Sequence, residues 1–125
     1  MLVGTRAVEI YENQLLDAIG SSGTGFNKDA IYIRGGSGVI FNNTVTGYKR
    51  FVYLNQEASD DVSKCQVNDV WVWNNSLPVN CTEIMVSYGD KNPIEEGVNY
   101  HRHAPHTFSY TPYIYPHPLT LEGTP

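Results

Sequence analysis

The chain is 125 residues long, with 17% charged residues, a formal net charge of −5 and a pI near 5.2. That length makes a single domain over residues 1–125, and the acidic balance excludes a nucleic-acid backbone as partner, which would need clustered Lys and Arg. No apolar stretch approaches the ~20 residues of a membrane span, and residues 1–4 are too short for a secretory signal. The compartment stays open.

In chain order, the first strand-like run is VEIYENQL at residues 8–15, and a flexible Gly/Ser stretch at 20–25 follows it. Next come AIYI at 30–33, a GGSG corner at 35–38 where positive φ is expected, and VIFNNTV at 39–45. FVYL at 51–54, a loop beginning ASDD at 58–61, VWVWNNSL at 70–77 and EIMV at 83–86 complete the pattern. The runs are too short for helices, and β-branched and aromatic residues dominate them, so they predict strands. Aligned on Asn13, Asn43 and Asn75, three of them share the order apolar, aromatic, any residue, Asn, polar, apolar, at steps of 30 and 32. A repeat of this period predicts stacked units. Asn tolerates the left-handed conformation, bonds its own turn, and can bond an equivalent Asn in a stacked neighbour. A recurring Asn corner therefore favours a β-solenoid over an antiparallel sandwich, with Asn13, Asn43 and Asn75 as structural turns.

Residues 31–44 (IYIRGGSGVIFNNT) and 70–76 (VWVWNNS) resemble the last coils of right-handed parallel β-helix proteins of the pectate-lyase-like superfamily. Residues 97–100 (GVNY) and 110–119 (YTPYIYPHPL) are similar to the C-terminal end of many bacterial and phage-associated members. The resemblance spans residues 7–120. It implies an all-β right-handed parallel β-helix of three to four coils over residues 7–100, closed by a Tyr/Pro-rich cap at 101–125. Full members carry more coils and an N-terminal cap, and full-length relatives include secreted ones. A short solenoid of this kind is expected to self-associate through an open first coil.

Lyases of that superfamily hold Ca²⁺ on carboxylates and use an Arg or Lys base. Here Asp60 and Asp61 are the adjacent Asp pair, with Arg34 and Arg50 flanking strands, but no spacing sets Asp60, Asp61 and Arg50 on one face. Glu95 and Glu96 would point to opposite faces of a strand, a poor arrangement for paired-carboxylate glycoside hydrolysis. Catalytic residues are therefore not assigned, and no resident cofactor is expected beyond the Ca²⁺ the resemblance implies. His101, His103 and His106 form the weak metal candidate, two of them sharing a face of an extended chain, although Arg102 lies between and a solvated loop is the expectation. Alternation puts Trp71 and Trp73 on the outer face with Val70 and Val72 inside, and Tyr32 and Tyr53 are expected on neighbouring rungs. Such an aromatic surface is a candidate site for a polysaccharide, or a surface covered by a partner. Cys65 and Cys81 could close a disulfide, though free thiols are the simpler reading. The N-x-Ser/Thr sequences at Asn42, Asn74 and Asn80 coincide with turns, which accounts for the residues without glycosylation.

The sequence thus predicts a non-catalytic or vestigial β-helix module that binds a glycan. The alternative is an assembly protein that oligomerises through its solenoid end.

Overall fold

In the computed structural model, which describes residues 5–17, 29–56, 66–89, 93–105, 111, 112 and 114, the regular elements are all β-strands. They are β1 (Thr5–Tyr11), β2 (Gln14–Leu16), β3 (Asp29–Ile33), β4 (Gly36–Phe41), β5 (Thr44–Thr46), β6 (Arg50–Gln56), β7 (Val67–Trp73), β8 (Thr82–Tyr88) and β9 (Tyr100–His101). The three Asn-bearing runs fall on β1, β4 and β7. The intervening apolar runs fall on β3, β6 and β8, and β9 straddles the boundary expected between coils and cap.

Hydrogen bonding sorts the strands into sheet A (β1-β4-β7-β9), sheet B (β2-β5) and sheet C (β3-β6-β8). Every pairing is parallel. Parallel neighbours need a long crossover, and here each crossover runs through at least one strand of another sheet. Sheet B was not legible as a sheet: its three-residue strands lie in what the sequence presents as the turn after each Asn. Ser76 continues it with an isolated parallel bridge to Thr44. The chain is thus all-β and parallel-stranded in three small sheets, with no helix among the described residues, an arrangement compatible with the expected β-solenoid. Among the described residues, no helix is long and apolar enough to cross a membrane.

The interior follows from alternation. Ile10, Ile40 and Val72 lie side by side in sheet A, and Ile31, Val52 and Ile84 do the same in sheet C. Val45 of sheet B closes the third side, with Leu15 and Leu77 packed against the cluster. Ile40, Val52, Leu54, Val67 and Val70 are fully buried, each worth about 1.5–3 kcal/mol of transfer free energy. The Gly run expected to be a corner is partly strand. Gly36 (φ 86°) opens β4, and a Cβ on Gly38 would fall 2.5 Å from Val8 Cγ2 and 3.0 Å from the Val8 carbonyl oxygen.

The Asn corners form a ladder. Asn43 Oδ1 accepts from the Asn13 backbone N–H at 3.0 Å and from Asn13 Nδ2 at 3.1 Å. Asn75 Oδ1 accepts from the same two groups of Asn43, both at 3.0 Å. Nδ2 of Asn43 and of Asn75 donates back to the Ile10 and Ile40 carbonyls. The ladder residues are not the ones in the left-handed region. That conformation belongs to the residue before each, Glu12 (φ 55°), Asn42 (55°) and Asn74 (53°), and Asn74 Nδ2 donates to Asn42 Oδ1 in a second, exposed rung. One residue turns the corner and the next pins it to its neighbour. Gln56 does a related job between sheets: fully buried, it accepts from the Val67 N–H at 2.6 Å and donates to the Pro93 carbonyl.

Asn43 is 1% exposed, so Asn43→Ala strands donors and acceptors on both neighbouring passes. We expect a loss of about 2–4 kcal/mol in urea denaturation. Asn42→Gly, which relieves the left-handed backbone, is expected to cost less than about 1 kcal/mol.

Candidate groove on the outer face of sheet A

The outer face of sheet A carries two columns of side chains set by the parallel register. One is Glu9, Val39, Trp71, His101; the other is Tyr11, Phe41, Trp73. Val70 and Val72 are buried while Trp71 and Trp73 are partly exposed, so the expected facing of β7 holds. The expected neighbours do not. Tyr32 and Tyr53 lie on β3 and β6 in sheet C, stacked on each other at 4.9 Å, because each pass through the three sheets places one strand in each. Trp73 instead stacks on Phe41 at 4.5 Å, and Phe41 on Tyr11 at 5.0 Å.

These stacks limit what the rings can offer. Interplanar angles of 5° and 10° mean that ring faces are turned toward the neighbouring strands, leaving edges outward. Trp71 is covered further: the His101 ring lies on it at 3.8 Å and 17°, and His103 meets it edge-on at 5.2 Å. His101 is thus part of β9, with a side chain only 13% exposed, and the solvated loop expected at this point is corrected. Pairing with β7 draws the segment onto the sheet. Arg102, between the two imidazoles, bonds Glu83 at 2.7 Å and Glu96 at 2.5 Å, which also ties up one carboxylate of the Glu95–Glu96 pair.

A groove of about 340 Å³ crosses β1, β4 and β7 beside this stack. Glu9, Ser37, Asn68, Asp69, Trp71 and Pro105 contribute to its lining. Its shape comes from a β-bulge. Gly36 pairs with Val67 and Gly38 with Val70, so β7 spends one more residue than β4 over the same span. The bulge puts Asp69 at φ 56° and leaves Asn68 and Asp69 exposed. A bulge re-aims side chains, and Asp69, 60% exposed, reaches His101 Nε2 at 3.8 Å. No sequence signal was read here, although Asn68-Asp69 was visible as the polar interruption before Val70.

His101 and His103 come within 5.7 Å of each other, ring to ring, and His106 lies outside the described residues. Among those residues, no group of three or more His, Cys, Asp or Glu is set to hold a metal ion. Asp60 and Asp61, to which the resemblance pointed for Ca²⁺, also lie outside the description, as do Cys65 and Tyr110, Tyr113 and Tyr115 of the tail. No step is routed through Ca²⁺. Arg50 pairs with Asp29 and lies over the Tyr53 ring at 4.5 Å. Cys81 is a free thiol whose pKa is raised by burial and then by Glu83. In comparisons with known proteins, no family model, curated protein or solved structure matches the chain.

Because His101 covers Trp71, His101→Ala should expose the indole. The expected result is a red shift of tryptophan emission with an unchanged far-ultraviolet strand spectrum; an unmoved emission maximum counts against the stack.

Proposed function

We propose that the chain forms coils of a right-handed parallel β-helix, of the pectate-lyase-like kind its motifs resemble, and serves as a non-catalytic module that binds a glycan in the groove on sheet A. Handedness rests on the general rule that parallel crossovers are right-handed in about 98% of cases. The observation that carries the binding reading is the groove itself: a mostly apolar lining that includes Val8, Val39 and Trp71, with hydroxyl, amide and carboxylate side chains among it, the composition of ligand sites in general. The non-catalytic reading is supported by the engagement of Asp29 with Arg50 and of Glu83 and Glu96 with Arg102. Retention of a soluble glycan in affinity electrophoresis, lost in Trp71→Ala and kept in Tyr32→Ala, is the expected result. Failure of the native chain to be retarded by any glycan overturns the reading.

A second reading, assembly through the first coil, is favoured by a separate observation. Among the described residues, the β1 edge pairs with β4 alone, and Tyr11 and Tyr32 are each stacked on one side only. Asn13 donates to the ladder, and no described residue donates to its Oδ1. An apolar cavity lined by Val8, Ile10, Ile31 and Ile33 opens nearby. Another coil of the same pattern would complete each of these features. Light scattering should show mass rising with concentration, and a monodisperse monomer over a wide range overturns this reading.

A further inference from the structure

The groove carries a charge, and its sign narrows the ligand. This inference rests on the glycan reading of the same groove. Asp69 stands in the lining with its carboxylate more than half exposed. It is delivered there by the bulge in β7 and by a left-handed backbone that a non-glycine residue adopts at some cost. Among the described residues, the groups that face it are few. His101, on β9, is 3.8 Å away; His103 leans on the same Trp71; Glu9, on β1, lines the groove as a second carboxylate. No described Lys or Arg side chain lines the groove: Arg50 is turned to Asp29 on sheet C, and Arg102 is held by Glu83 and Glu96.

We infer that the groove selects a glycan without carboxylates, and prefers one bearing amino groups, with Asp69 as the specificity-determining residue. A uronate chain would bring a negative charge to each ring it lays beside Asp69. An amino sugar would bring an ammonium group that Asp69 attracts and can hydrogen-bond. In water, one unit charge about 6 Å from a carboxylate changes affinity roughly threefold, and salt reduces the effect. This preference is opposite in sign to that of an enzyme acting on acidic polysaccharide.

The test is a titration of the native chain with equal-length oligomers of three kinds, amine-bearing (chitosan), neutral (cellulose) and acidic (polygalacturonate), at low and at ~0.5 M salt, where screening is short-ranged. The amine-bearing oligomer should bind about threefold more tightly than the neutral one and the acidic one about threefold more weakly, with the spread closing in high salt. Asp69→Asn keeps a residue that tolerates the left-handed backbone and should lower the amine-to-neutral ratio, with Glu9 left in the lining. Tightest binding of the acidic oligomer overturns this inference while leaving the glycan reading in place. An amine preference unchanged in Asp69→Asn overturns the role of that residue. Binding of none of the three overturns this inference, and the glycan reading falls with it only where no other glycan retards the native chain.

Discussion

The Asn13–Asn43–Asn75 ladder is the constraint on which the rest of the structure depends. A parallel-stranded chain that turns between small sheets must satisfy corner backbone groups that no strand partner can reach. The ladder does this with one side chain per pass: its oxygen takes two N–H groups from the preceding corner, and its nitrogen returns a bond to a carbonyl there. Asn43 is nearly inaccessible to solvent, so an unmade bond there would carry a desolvation penalty of about 1–3 kcal/mol per group. Asp would lose the donor and Ser the reach. The amide alone supplies acceptor and donor at this geometry.

Once the corners are fixed one above another, the register of the strand ends that meet them is fixed too. A one-residue slip in any strand would turn its apolar side chains outward, so Ile10, Ile40 and Val72 align because Asn13, Asn43 and Asn75 do. The same register lines up Tyr11, Phe41 and Trp73 on the outer face. Stacking then uses the ring faces within the protein. An aromatic column in this setting is first a device for holding strands together, and the surface it leaves is made of edges and of the polar side chains beside them. That is why the binding reading moves from the rings themselves to the groove next to Trp71.

How far this could be read from the sequence depends on whether a feature repeats. The Asn corners recur at near-equal steps, and the alternation in Val70-Trp71-Val72-Trp73 is local. The apolar runs of sheet C were legible as strands although their steps, 21 and 32 residues from Ile31 to Val52 to Ile84, differ from those of the corners. What escaped was set by neighbours distant along the chain. Nothing local distinguishes the strands Gln14–Leu16 and Thr44–Thr46 from turn residues; their pairing with each other makes them strands. Tyr32 and Tyr53 could be assigned an outward face but not a sheet, since alternation is the same in all three. His101 looked like loop because only two residues of β9 pair with β7. Within the corner, the left-handed role fell to Glu12, Asn42 and Asn74. At two of the three passes that position is also Asn, so composition could not separate the turning residue from the bonding one.

The unequal steps of the repeat carry information of their own. Asn13 to Asn43 is 30 residues and Asn43 to Asn75 is 32. Pairing in sheet A shows where half of the difference arises within the second step: Gly36 faces Val67, 31 positions on, and Gly38 faces Val70, 32 positions on. The added residue is therefore inside β7, at Asn68 and Asp69, in the wall of the groove. An insertion in a loop would leave the ladder of strands undisturbed. This one breaks a parallel pairing, as the shift between Thr5 and Ala7 does where β1 meets β4, and it holds Asp69 in the left-handed backbone region. Such a departure is not required by the corners, which close equally well at Asn13–Asn43 and Asn43–Asn75. Its effect on the molecule is to turn a carboxylate into a cleft, and that is the physical reason to look for function at Asp69 before the aromatic columns.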